Sequence, residues 1–196
     1  DGKPGRPASP FSLHFDAAEV GAAALGHIAE NRHIRAALHA AVERAPNLEL
    51  LAPAPVKSVA VEAGGAVVTM ASGEQIRAAL VIAADGRESP LRAEAGIGVI
   101  GWSYPQTGIV ATVEHERPHN GVAYEHFLPS GPFAILPMTG NRSSLVWTEA
   151  KTKVPALLAL DEAGFNEELA RRFGDHLGKT KSAGRRWSYP LSFHLA

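Results

Sequence analysis

Apolar and polar positions change period several times along the chain, and each change marks an expected element. "FSLHFD" (11–16) alternates, the period of a strand. Residues 17–30 are rich in small side chains and carry no clear period, so they are left between loop and weak helix. From Asn31 the period becomes helical. Ile34, Leu38, Ala41, Val42 and Ala45 form one stripe, Arg32, Arg35, His39 and Glu43 fall largely on another, and Pro46-Asn47 ends the helix. Short strands are expected near 48–51, 56–62, 66–70 and 75–84, with hairpin turns at Gly64-Gly65 and Ser72-Gly73. A short helix over 89–95 has Ser89 as its N-cap, Pro90 at its first position and Gly96 at its stop. Four strand-like runs follow, "TGIVATVEHE", "GVAYEHFLP", "PFAILPMT" and "SSLVWTEA", whose spacing predicts an antiparallel meander. Helices at 155–160 and 163–174 and a strand in "RRWSYPLSFHLA" complete the reading. Blocks of strands and helices with at least one βα unit define an α+β, or mixed α/β, class.

Composition narrows the function classes. A 196-residue chain with 45% hydrophobic and 20% charged residues can bury a core without covalent staples. Its net charge of −1 provides no field for holding nucleic acid. The absence of cysteine excludes disulfides, thiolate metal sites and cysteine nucleophiles. The polar, Pro- and Gly-rich opening "DGKPGRPASP" and the lack of an initial Met lead us to expect a piece of a longer protein.

One stretch poses a chemical question. In "VIAADGRESPLR" (81–92) the run "ALVIAA" is apolar on both faces, the pattern of a central strand. It ends on Asp85, at the kind of strand terminus where α/β folds place ligands. Arg92 enters the next helix near its N-terminus, where the dipole disfavours a cation unless an anion is at hand. Two readings stand at this point: a solvated βα turn with structural charges, or a corner that faces an anionic ligand.

Asp85, Gly86, Ser89 and Arg92 follow the order Asp-Gly, two residues, Ser, two residues, Arg. This resembles the Asp-Gly fingerprint of the aromatic-ring flavoprotein monooxygenases. "GWSYPQTGIVATVEHERPHNGVAYEHFLPSGPFAILPMTGNRSSLVWTE" (101–149), "LGHIAENRHIRAAL" (25–38) and "YPLS" (189–192) resemble the ubiquinone-biosynthesis hydroxylases within that group. The likeness spans most of the chain. Two family motifs are not found in their expected places: a G-x-G-x-x-G after an N-terminal strand, and a Gly-Asp soon after "YPLS". Both contact FAD in the family, so a middle segment that holds FAD poorly and is inactive alone is expected.

The resemblance implies a para-hydroxybenzoate hydroxylase-like fold, with a partial FAD/NAD(P)-binding region over 1–100 and an antiparallel substrate-side sheet over 101–196. It implies that Asp85, Gly86 and Arg92 lie by the FAD pyrophosphate and the NAD(P)H path. It adds Asn31 and Arg35 as FAD contacts, although Asn31 is equally suited to capping its helix. Phe127, Leu128, Phe133 and Ile135 become the expected apolar wall for a polyprenylated phenol, although any single one of them reads first as plain core. Trp102, Tyr104 and Trp147 share that ambiguity. The implied reaction uses FAD, NAD(P)H and O₂ to hydroxylate the phenol ring in ubiquinone biosynthesis, with no catalytic side chain expected in this segment.

Three alternatives remain: another flavoprotein hydroxylase, a reductase of the same fold, or a non-catalytic interaction domain of a quinone-synthesis complex. His115 and His119 stand four apart, but Pro118 and strand-like flanks argue against a helical metal pair, and no metal site is expected. No apolar run is long enough to span a membrane. A cytoplasmic location with peripheral contact at the inner membrane is the expectation, since the implied substrate is greasy.

Overall fold

A computed structural model describes residues 11–196. The described residues divide into two units: 31–101 with 194–196, and 11–30 with 102–193.

The unit over 31–101 contains helix α1 (Asn31–Arg44), strands β1 (Val56–Glu62), β2 (Gly65–Met70) and β3 (Gln75–Ala78), and the short helix α2 (Pro90–Glu94). The strands form an antiparallel sheet in the order β1-β2-β3, turned at the two sites expected from glycine. Central β2 buries Ala66, Val67 and Met70. Helix α1 forms where the 3.6-residue period lies, but it has no buried residue, and Ile34 and Leu38 of its apolar stripe are 46% and 61% exposed.

Two expected strands are absent and a third is cut short. Residues 11–16 and 48–51 are irregular, with Phe11, Leu13, Phe15, Leu48, Leu50 and Leu51 all exposed. The strand expected over 75–84 stops at Ala78. The "ALVIAA" run beyond it is not a buried central strand: Leu80 and Ile82 are 75% and 79% exposed. A strand needs a neighbour for its N–H and C=O groups and cover for its faces, and this run has no ladder partner among the described residues.

The second unit is built on a five-stranded sheet of β4 (Ile100–His115), β5 (Tyr124–Leu128), β6 (Gly131–Met138), β7 (Arg142–Ala150) and β8 (Thr180–Leu195). Its order is β5-β6-β7-β4-β8. The expected meander holds for β5-β6-β7, but β4 pairs antiparallel with β7, Ile109 opposite Trp147, and not with β5. The reason is matched length and pattern. Nine residue pairs run from Gln106–Ala150 to Glu114–Arg142, which brings the alternate apolar residues of both strands to one face.

That face carries the core. Ile109, Val113, Phe133, Ile135, Leu145 and Trp147 pack against Phe165, Leu169 and Phe173 of helix α4 (Glu162–Phe173), after helix α3 (Val154–Ala159). The three α4 residues are spaced by four, so they line one stripe, and each is fully buried. Asp161 caps α4 by accepting from Gly164 N at 2.8 Å. Glu149 is 2% exposed, with Arg172 Nη2 3.6 Å away, and Arg172 lies 4.2 Å over the Trp147 ring. This Arg172 arrangement ties the end of β7 to the last turn of α4.

Candidate functional site

The loop 79–89 delivers Asp85 and Gly86 to the start of α2. Ser89 is buried there and its Oγ accepts from Arg92 N at 3.0 Å, capping the helix, with Pro90 at the first helical position. Asp85 Oδ2 accepts from Leu91 N at 3.3 Å. The Ser89 hydroxyl also bonds this carboxylate and is the main reason that Asp85 is held below the ordinary range of its acid. The Leu91 amide and the charge of Arg92 act in the same direction, while desolvation opposes them. Gly86 has φ +97°, and a Cβ there would meet nothing within 4 Å, so the backbone is open to close approach.

Arg92 does not reach out to an anion. Its Nη2 donates to the carbonyl of Arg87 at 2.8 Å, folding the guanidinium back over the loop. The corner thus joins an exposed, ionised carboxylate, an open glycine and a guanidinium with further N–H groups. This donor set fits a phosphate-bearing nucleotide. The guanidinium fork suits phosphate oxygens, and the carboxylate suits a hydroxyl or N–H donor. Asn31 opens α1 and Arg35 lies one turn further on, both exposed. No hydrogen bond or ion pair joins either to Asp85 or Arg92 among the described residues.

The four residues expected to share an apolar wall do not share one. Phe133 and Ile135 are 0% and 1% exposed in the α4-packed core, and Leu128 lies in the same cluster. Phe127 is 64% exposed on the opposite face. Strand alternation explains the split, since consecutive residues of β5 cannot face the same way. The opposite face also carries Val110, Thr112, Ala134, Leu136 and Val146, all half-buried. It is the apolar surface of this sheet that a ligand can reach, and run-by-run hydrophobicity did not separate it from the core. Of the other aromatics, Trp147 is fully buried, whereas Trp102 and Tyr104 are 52% and 42% exposed, with Trp102 stacked on Phe193 at 4.5 Å.

One further feature was not read from the sequence. Gly96-Ile97-Gly98-Val99-Ile100-Gly101 has G-x-G-x-x-G spacing, but it runs from the end of α2 into β4. The nucleotide-binding motif runs from strand to helix, so the amides here do not form a helix N-terminus. His115 and His119 are structural. His115 Nδ1 bonds the Arg117 carbonyl at 2.7 Å and Nε2 the Ser143 hydroxyl at 3.1 Å. His119 Nε2 donates to the carbonyls of Met138 (2.7 Å) and Gly140 (3.0 Å), while Nδ1 accepts from Gly121 N at 3.0 Å.

The architecture and corner together define a flavoprotein of the para-hydroxybenzoate hydroxylase-like fold. Residues 27–187 match the FAD binding domain family, and the chain belongs to it. It is 51% identical over 188 residues to ubiquinone hydroxylase UbiL of Rhodospirillum rubrum, covering 96% of this chain and 44% of that protein. It is 35% identical over 164 residues to 3-demethoxyubiquinol 3-hydroxylase of Escherichia coli, covering 84% of this chain and 42% of that one. The chain therefore spans less than half the length of these curated relatives. The fold matches Pseudomonas aeruginosa PqsL in complex with 2-aminobenzoylacetate with TM-score 0.63 at 19% identity, covering 77% of this chain and 45% of that one.

Proposed function

We propose that the protein is an FAD-dependent monooxygenase that hydroxylates a polyprenylated phenol in ubiquinone formation, using NAD(P)H and O₂. The observation that carries this reading is the 51% identity to a ubiquinone hydroxylase over nearly the whole chain. The 2-octaprenyl-6-methoxyphenol type of substrate fits it. FAD, when bound, supplies the oxygen-activating chemistry, and the chain supplies position and dryness.

In this reading residues 1–100 belong to the FAD/NAD(P)-binding region and 101–196 to the substrate region. Arg92 swings from the Arg87 carbonyl to phosphate oxygens of FAD, and Asp85 accepts from a donor of the nucleotide while Gly86 leaves room for it. Asn31 and Arg35 add polar contacts from α1. The phenol lies against the Phe127 face of the five-stranded sheet, where Val110, Ala134, Leu136 and Val146 exclude water. Phe133, Ile135 and Leu128 support that wall from behind. The protein is cytoplasmic and meets its greasy substrate by peripheral contact at the inner membrane.

The test is NAD(P)H oxidation by the full-length, FAD-loaded protein. A prenylated phenol should accelerate it and gain one oxygen atom. No acceleration and no oxygenated product with any such phenol overturns the assignment and favours a non-catalytic role in a quinone-synthesis complex.

A further inference from the structure

Gln106 stands out on the reachable face of the five-stranded sheet. It is an amide among mostly apolar side chains, and it reaches across β7: its Nε2 donates to the carbonyl of Ser130 at 2.6 Å, in the turn between β5 and β6. The carbonyl accepts only, so the amide nitrogen must face it, which fixes the side chain's orientation. The next residue, Gly131, has φ +131°. A Cβ there would lie 2.6 Å from Thr148 Cγ2 and 3.1 Å from Gln106 Nε2. Glycine leaves the slot through which the amide passes. The β5–β6 turn is thus held from two sides: the Gln106 hydrogen bond pulls it in, and close packing on Thr148 limits how far it can come. Phe127 and Pro132, paired across β5 and β6, lie next to this held turn.

We propose that Gln106 is a positioning residue: it latches the β5–β6 turn through the Ser130 carbonyl and so fixes Phe127 as part of the wall that receives the substrate's apolar tail. The substrate half of this inference rests on the proposed function; the latch itself does not. Because β5 is an edge strand of its sheet, its turn has pairing on one side only. Without the latch it frays, and the Phe127 ring samples several heights. The loss should fall on substrates whose tail touches Phe127 and spare the chemistry at the ring.

The experiment uses the full-length, FAD-loaded protein with two variants that attack the latch differently. Gln106→Leu removes the donor at similar size, and Gly131→Ala pushes on Thr148 and Gln106. Amide hydrogen exchange over residues 127–132 should quicken on the order of fivefold in each, the factor that loss of one ordinary hydrogen bond produces. Exchange in α4 should be unchanged. KM for a prenylated phenol should rise by a similar factor, with kcat and the KM of the same phenol without its tail held within about twofold. Unaltered exchange over 127–132 in both variants overturns the latch. Faster exchange with unaltered KM for the tailed phenol overturns its role in substrate positioning. If no phenol stimulates the parent enzyme, the functional reading fails and the substrate half of this inference fails with it, while the exchange data still judge the latch.

Discussion

Asp85 is kept ionised chiefly by a hydroxyl. Ser89 bonds its carboxylate, with the Leu91 amide and the Arg92 charge adding to the effect. The folded form thus binds its proton more weakly than the unfolded chain, whose acid has the ordinary value of 3.8. The stabilisation is present above 3.8 and is lost as pH falls through the lower folded value. Carboxyl NMR should show Asp85 titrating below an ordinary aspartate, and Ser89→Ala should move it upward; an unchanged midpoint would remove Ser89 as the cause. His176 has the opposite chemistry with the same sign in pH. Its ring stacks on Phe173 and sits 4.3 Å from Tyr124, its Nε2 is buried without a hydrogen-bond partner, and burial then the His126 charge hold it below 6.5. Asp175 pulls the other way and His115 adds to the depression. Stability is therefore full above pH 6.5 and declines as pH falls from there through the folded value. Melting curves of His176→Phe should be flatter in that window than those of the parent chain.

At the scale of the element, α1 and α4 show what a helical stripe does and does not say. Both carry apolar residues every third or fourth position, and both are helices. Only α4 has its stripe covered, so Phe165→Ala should cost about 3–5 kcal/mol in denaturant melts of the 196-residue chain. Leu38→Ala, at 61% exposure, should stay within about 0.5 kcal/mol. The link between α4 and β7 makes a related prediction. Removing Arg172 leaves the buried Glu149 with the largely exposed Lys153, its Nζ 3.9 Å away, in place of a buried guanidinium, so Arg172→Ala should destabilise by up to about 3–5 kcal/mol. Glu149→Gln should cost less, because it removes the buried charge as well as the pairing. Equal losses from the two variants would show that a stranded Glu149 charge is not what makes the loss of Arg172 costly. The sheet teaches the same lesson: the strand runs were legible from their alternation, but the pairing of β4 with β7 was not, because order depends on contacts distant in sequence.

For the whole molecule, the relevant fact is that the chain spans 44% of a relative 51% identical to it. Its one G-x-G-x-x-G string leads from helix to strand and offers no helix N-terminus to a pyrophosphate. The 196-residue chain should therefore leave gel filtration with little flavin absorbance, whereas the full-length protein should retain it. Stoichiometric flavin on the short chain would show that the Asp85 corner suffices for binding.

The order of the residues alone determined where helices α1, α2 and α4 and the two glycine turns fall, and that Asp85, Gly86, Ser89 and Arg92 meet at a helix start. These depend on interactions within a few residues, namely backbone preference, capping and turn chemistry. The same order carried the family resemblance, on motifs that stay together in the chain. Tertiary structure alone decided which apolar surfaces become core. It sent Phe133 and Ile135 behind the sheet and Phe127 to the front, left "ALVIAA" without a strand partner, and set the Gln106 amide on a carbonyl 24 residues away. The physical reason is that burial belongs to pairs of surfaces, and a local pattern describes only one member of each pair.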